Sequence, residues 1–180
     1  YQPTSATIHA MYNNERFAAQ IPFADKASVE NALQVWSLML VFGYDNQTIV
    51  QRLATIEPIA MRLELKEGNN NCSIINDSYN CDMESLRIAL DYLSVQNQHP
   101  QKVLILSDIE QSGYTKSDLY HHIAVLIRQK NIDRLIGIGQ DIKSFSNFFD
   151  LRKDFFATTQ DFLDHFDFSK IQNASVLLKG

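Results

Sequence analysis

From Ser73 to Leu178 short apolar runs alternate with amphipathic stretches, and no other feature of the chain limits its possible folds so strongly. The spacing predicts a helix over Asp82–Val95 with Met83, Leu86, Leu90 and Leu93 on one face. A second, over Ser117–Lys130, groups Leu119, Ile123, Leu126 and Ile127. Strands are expected at Lys102–Leu106, Arg134–Ile138, Phe155–Ala157 and Ala174–Leu178, with a helix over Ile142–Phe149 and a short one near Phe162. Strands joined through helices run parallel to one another, because a tight turn can only reverse the chain. The expected fold is therefore α/β: a mostly parallel, Rossmann-like sheet flanked by helices.

Before Pro58 the pattern is different. Thr7–Tyr12 and Arg16–Ile21 flank Asn13-Asn14 and read as a hairpin. Ala27–Phe42 has helical character but is apolar nearly all round, which predicts deep burial, with Gly43 as its stop. Asn46 is the expected cap of a second helix, Gln47–Ile56, ended by Pro58. Beyond Pro58, Arg62–Lys66 and Ser73–Asn76 flank Gly68-Asn69-Asn70-Asn71, a second hairpin signal. The change divides the chain into the tail of one domain, residues 1–58, and a second domain, residues 59–180.

Composition narrows the partners. The 180 residues are 45% hydrophobic, enough for one ample core or for one domain and part of another. The 16 basic and 21 acidic residues are mixed along the chain, whereas a nucleic-acid module carries a clustered basic stripe. The most apolar run, Val35–Gly43, is broken by Ser37 and falls well short of the roughly 20 residues a membrane span needs. No signal peptide opens the chain, and a cytoplasmic protein without membrane insertion is expected. Cys72 and Cys81 form no C-x-x-C pair and read as reduced thiols. The first residue, Tyr1, is not Met, and a longer parent chain is expected.

Open parallel sheets bind ligands at the carboxyl ends of their strands, which here carry Asp77, Asp108, Gly139, Thr158 and Lys179. At one of those ends Ile74-Ile75-Asn76-Asp77-Ser78-Tyr79-Asn80-Cys81-Asp82 crowds small polar residues between a strand and a helix. A carboxylate at the position of Asp77 can accept hydrogen bonds from a ribose diol. Asp77, Ser78 or Asn80 can equally cap the helix that follows, and spacing alone favours that role. Arg62, between apolar and acidic neighbours, is suited to clamp a phosphate, or to pair with Glu64 on the surface. Neither Asp77 nor Arg62 is assigned to the core. Asp108 and Glu110 suggest a cation site but lack a third ligand at fixed spacing, so no metal ligand is assigned. His121 and His122 point about 100° apart on a helix and cannot share a metal. No G-x-S-x-G elbow and no G-x-x-x-x-G-K-[ST] phosphate loop occurs, so any nucleotide triphosphate needs its cradle elsewhere.

Several of these segments together resemble the Mur ligases, which build the peptidoglycan precursor, and in particular the branch that adds D-alanyl-D-alanine. Pro58 with Ala60-Met61-Arg62-Leu63-Glu64 is similar to the Pro-x-x-Arg-[LM]-Glu opening of that family's carboxy-terminal domain. Asp77-Ser78-Tyr79-Asn80-Cys81-Asp82 is similar to Asp-Ser-Tyr-Asn-x-Asn, and Ser107-Asp108-Ile109-Glu110-Gln111-Ser112-Gly113 loosely to Gly-Asp-Met-x-Glu-Leu-Gly. Asn31-Ala32 matches a buried helix of the central domain, and Lys179-Gly180 the start of a final Lys-Gly-Ser-Arg. The resemblance implies the tail of a central ATPase domain followed by almost all of a carboxy-terminal domain.

It also implies ATP and Mg²⁺, held mainly by residues upstream, with UDP-N-acetylmuramoyl-tripeptide and D-alanyl-D-alanine as the substrates joined through an acyl phosphate. Asn31 would contact the adenine, Asp77 the ribose and Arg62 the phosphates. Tyr79 and Asn80 would lie near the reacting centre, with Asp108 among the substrate contacts and Arg62 and Asn80 as the catalytic pair. The sequence departs from the family at Ala27, Asp82, Ser107 and Gln111, departures that resemble ligases fused to an alanine racemase, whose PLP would then be a second cofactor. A folylpolyglutamate-synthase-like enzyme is the nearest enzymatic alternative, against which Tyr79-Asn80 speaks. The alternative of another class is a receiver-like phosphate-sensing domain with Asp108 as acceptor and Lys179 as the strand-end lysine.

Overall fold

A computed structural model describes residues 5–24, 26–56, 62–110 and 112–180, with the side chain of Ala27 outside that description. Pro58, Ala60, Met61 and Gln111, which carry part of the expected motifs and the expected domain boundary, lie outside the described residues. The chain divides into two compact units, residues 1–59 and 60–180.

In the first unit, β1 (Ala6–Tyr12) and β2 (Glu15–Ile21) form an antiparallel hairpin. Asn13 and Asn14 turn it at φ 49° and 64°, the left-handed pair that a two-residue type I′ turn demands. Helix α1 (Lys26–Val41) and helix α2 (Asn46–Ala54) follow. The cap of α2 is Asp45, not Asn46: the Thr48 N–H donates to Asp45 Oδ1 at 2.9 Å. Asn46 instead accepts from the indole N–H of buried Trp36 at 3.0 Å. Two adjacent Asx residues could each cap, and the tryptophan takes one of them. The expected deep burial of α1 is also corrected. Ala32 and Trp36 are buried, but Leu38 is 54% and Phe42 70% exposed on the opposite side. A two-stranded sheet and one short helix cover a single face of α1.

The second unit carries a six-stranded sheet in the order β3-β4-β8-β5-β6-β7. Its strands are β3 (Glu64–Gly68), β4 (Cys72–Asp77), β5 (Gln101–Ser107), β6 (Arg134–Ile138), β7 (Arg152–Phe156) and β8 (Ala174–Lys179). Only β3 is antiparallel; the other five run parallel, as the alternation requires. The helices are α3 (Met83–Ser94), α4 (Lys116–Gln129), α5 (Gln140–Ser144) and α6 (Thr159–His165). The expected helix Ile142–Phe149 is in fact α5 and a 3₁₀ turn, Ser146–Phe148.

Strand residues alternate between two cores. Ile75, Leu104, Leu106, Leu135 and Leu177 pack under α3 and α4, while Val103, Ile136 and Val176 pack against Phe162 and Phe166 on the other face. Strand β8 is last in the chain but sits between β4 and β5. The connections β5 to β6 to β7 therefore move one way across the sheet, and the return to β8 moves the other way. That reversal falls at the carboxyl ends of β4, β8 and β5, the edge at which an open α/β sheet accepts ligands.

Candidate functional site

Asp77 and Lys179 stand side by side at that edge because β4 and β8 are parallel partners in register, Asp77 opposite Lys179. Both side chains point to the α3 face, as Ile75 and Leu177 do two residues earlier. The Lys179 ammonium lies 2.7 Å from Asp77 Oδ2, with the lysine side chain 2% and the aspartate 13% exposed. Lys179 also donates to the Asn80 carbonyl at 2.5 Å. The other carboxylate oxygen, Asp77 Oδ1, accepts the Leu63 N–H at 3.2 Å. Asp77 thus belongs to a buried ion pair, which corrects its placement outside the core.

The capping alternative is settled by geometry. Helix α3 is capped by Asp82: its Oδ1 accepts the Ser85 N–H at 2.7 Å, and Ser85 Oγ accepts the Asp82 N–H at 3.0 Å. That reciprocal box frees Asp77, Ser78 and Asn80 from the task. The Ser85 N–H holds the Asp82 carboxyl below the usual carboxylate range. Asn caps about as well as Asp, so the departure at Asp82 costs the helix nothing. Ser78 Oγ instead donates to Asn76 at 2.7 Å, and Asn80 Oδ1 accepts the Cys81 N–H at 2.9 Å.

Arg62 and Tyr79 meet at the surface beside this pair. The guanidinium carbon lies 4.7 Å from the centre of the Tyr79 ring, and the ring is 60% exposed. Glu64, the partner expected for a surface arginine, bonds Lys66 at 3.1 Å. Leu63 links this segment to Asp77 and adopts φ 49°, a left-handed conformation that a leucine takes up only when its surroundings hold it there. Arg62, Asp77, Tyr79 and Asn80 are therefore one local group. Asn31 is exposed on α1, in the first unit.

Asp108, after β5, has a different role from the one its position suggests. Its carboxylate accepts the Tyr120 hydroxyl at 2.9 Å and the N–H groups of Asp141 and Ile142 at 3.1 and 2.8 Å. Three donors from α4 and the start of α5 occupy it. Gly139 permits this approach: at φ 142° it has no Cβ, and a Cβ would stand 2.2 Å from the Asp108 carboxylate. Burial, reinforced by the bond to Asp108, pushes the Tyr120 phenol well above its ordinary value. The receiver-like alternative fails here, because the carboxylate it needs is engaged and Lys179 is bound to Asp77 instead. Glu110 is exposed, and no group of three or more His, Cys, Asp or Glu among the described residues could hold a metal ion.

Sequence reasoning missed Tyr120 and the partnership of Lys179 with Asp77. The only signal for the second was a lysine closing a strand that is apolar but for Ser175, Ala174–Lys179.

Comparison with known proteins bears on the same region. No family model matches the chain. The UDP-N-acetylmuramoyl-tripeptide–D-alanyl-D-alanine ligase of Bacillus subtilis is 28% identical over 120 residues, covering 67% of this chain and 26% of the relative. The enzyme of the same name from Escherichia coli is 22% identical over 152 residues, covering 79% and 33%. Among solved structures, a MurF from Acinetobacter baumannii superposes with a TM-score of 0.76 at 23% identity, over 98% of this chain and 40% of that one. A MurF ligase from Thermotoga maritima in complex with ADP gives 0.66 at 13% identity, over 100% and 41%. The fold is that of the corresponding part of these ligases. The chain is similar to part of these ligases and spans 26–40% of the length of the curated relatives it matches.

Proposed function

We propose that this chain is the carboxy-terminal part of an ATP-dependent ligase that joins D-alanyl-D-alanine to UDP-N-acetylmuramoyl-tripeptide in the cytoplasmic synthesis of the peptidoglycan precursor. On this reading residues 1–58 are the tail of the central ATPase domain and residues 59–180 the carboxy-terminal domain. The observation that carries it is the group Arg62–Asp77–Tyr79–Asn80 at the reversal of strand order, in a chain whose curated relatives share that one activity.

The residues present suit one edge of a nucleotide. A carboxylate offers about four acceptor sites, and Asp77 uses two of them internally, so two remain for a ribose diol. Arg62 is exposed and can exchange the face of Tyr79 for phosphate oxygens, a stronger, charge-assisted partner. Asp77 is the one carboxylate of this group and is paired with the Lys179 ammonium, so Mg²⁺, which takes oxygen ligands in a near-octahedral shell, is assigned to residues outside it. ATP supplies the phosphoryl group that activates the tripeptide carboxylate; the dipeptide amine then attacks the carbonyl carbon and phosphate leaves. Asn31 is assigned to the adenine side, Asn80 and Tyr79 to the reacting end. Asp108 supports α5, through which it would shape a dipeptide contact. A racemase fusion, with PLP, belongs to the same pathway and uses no residue of this group.

Arg62→Ala in the complete ligase tests the reading. A phosphate clamp acts most strongly as charge moves during transfer, so kcat should fall about 30-fold or more while the KM for ATP changes little. Stability should not change, because the side chain is exposed. An unaltered kcat would remove Arg62 from the chemistry.

A further inference from the structure

Two charged side chains are buried among the described residues, Arg134 and Lys179. Arg134 has an evident structural reason: it bonds Asp154 from a neighbouring strand, lies over Phe166 and reaches the Lys170 carbonyl. Lys179 is buried as deeply, but at the carboxyl end of β8 and not between strands. Its ammonium bonds Asp77 and the Asn80 carbonyl, both of the group that carries the candidate site. Burying an ammonium costs several kcal/mol before pairing, so its presence at a rim needs a reason beyond packing.

We propose that Lys179 is the positioning residue of this rim, holding from β8 the two segments that present Arg62 and Tyr79; this rests on the nucleotide reading above. One branch of the hub runs through Asp77, whose second oxygen holds the Leu63 N–H and with it the turn that carries Arg62. The other runs through the Asn80 carbonyl and fixes the Ser78–Cys81 loop, which carries Tyr79. The cation–π contact between Arg62 and Tyr79 joins the two branches at the surface.

Lys179 has a second consequence for a polyanionic ligand. A lone carboxylate beside a polyphosphate repels it, whereas an Asp77–Lys179 pair carries no net charge and keeps the acceptor sites of the aspartate. The lysine therefore makes an acidic residue acceptable at a phosphate-facing edge. Asp77 specifies the ribose, and Lys179 allows it to do so.

Cys81, next to Asn80, reports on the loop without any ligand. Burial pushes its thiol up to about 12, while the Lys179 charge pulls the other way. The two roles Lys179 could have then move Cys81 in opposite directions. If Lys179 positions the loop, Lys179→Met frees the loop and exposes Cys81, so labelling by N-ethylmaleimide accelerates. If the lysine is only an electrostatic neighbour, the loop stays closed, the thiol rises further, and labelling slows.

The experiment is peptide-resolved labelling of the 180-residue chain, with Cys72 as internal control and circular dichroism to verify folding. Cys81 labelling in Lys179→Met should rise about tenfold or more over Cys72; slower or unchanged labelling overturns the proposal. Should that variant fail to fold, the double variant Asp77→Asn/Lys179→Met removes both charges, which buried pairs often tolerate. There the loop should remain open although the melting temperature recovers. Protection that recovers with stability would reduce Lys179 to a structural ion pair.

Titration of the complete ligase with ADP, followed by NMR, separates this proposal from the reading it rests on, because the phosphate cradle is expected outside the 180 residues. In the parent ligase ADP should shift the amides of Tyr79 and Asn80, and in Lys179→Met these shifts should vanish. No response of those amides in the parent ligase, with accelerated Cys81 labelling in the variants, would defeat the nucleotide reading and leave the positioning role standing.

Discussion

Asp77 and Asp108 occupy equivalent places, each at the carboxyl end of a parallel strand on the same edge of the sheet, yet they are held by opposite means. Asp77 is held by a buried cation and one N–H, Asp108 by a hydroxyl and two N–H groups without any counter-charge. The difference follows from what stands next to each. Asp77 lies in register with Lys179 on β8, whereas Asp108 faces the first turn of α5, where free N–H groups point outward. A carboxylate at a strand end therefore does not announce its role. Its neighbours decide whether it is a charged hub at a mouth or a brace between two helices.

The comparison is sharpest when each charge is removed in turn. Asp77→Asn leaves the Lys179 ammonium buried against a neutral amide, and breaking one partner of a buried pair costs about 3 kcal/mol at this degree of burial. For a unit of this size that lowers the melting temperature by about 10 °C. Thermal unfolding by circular dichroism checks it, and a change within about 2 °C would mean that the pair is not the structural hub described here.

Asp108→Asn should cost less, about 2 kcal/mol. No counter-ion is orphaned, but an amide can present its own N–H groups to only the wrong partners, since all three neighbours are donors. The damage should be local to α5. Hydrogen exchange should accelerate at the Asp141 and Ile142 amides while that of Leu63 stays as it was. If the Leu63 amide loosens as well, the two aspartates are not separate devices.

Most of the sheet was legible in the sequence because alternation and periodicity are local signals. Arg134–Ile138 is a strand over the very span its apolar run predicts, and α3 and α4 differ from expectation by one residue at each end. The rim was legible by topology, since residues after parallel strands must gather at one edge. What periodicity cannot encode is which strands become neighbours. Nothing local places β8 between β4 and β5, so the Asp77–Lys179 pair was invisible, and with it the burial of Asp77. The one-sided burial of α1 was hidden for a related reason. An apolar pattern states that a surface wants cover, but not that the cover lies within the same unit.

The smallest effect tests the brace from its other end. Tyr120→Phe keeps the stacking of this ring on Phe145, at 5.4 Å, and removes only the hydroxyl that serves Asp108. Near neutral pH the loss should be about 1 kcal/mol. Its pH dependence carries more information than its size. The folded phenol is held protonated by burial and by Asp108, whereas the unfolded one ionises near pH 10, its ordinary value. Below that pH the contribution of Tyr120 is fully present. Above it the unfolded chain releases its proton first, so stability falls as pH rises, by at most about 1.4 kcal/mol per pH unit. Phenylalanine cannot ionise and escapes that loss. Stability curves of the parent and of Tyr120→Phe, measured in urea between pH 8 and 11, should therefore converge above about pH 10. The remaining tyrosines act equally in both proteins and cancel. Curves that stay parallel to pH 11 would show that the Tyr120 hydroxyl ionises as freely in the folded state, and Asp108 would then be braced by its two N–H donors alone.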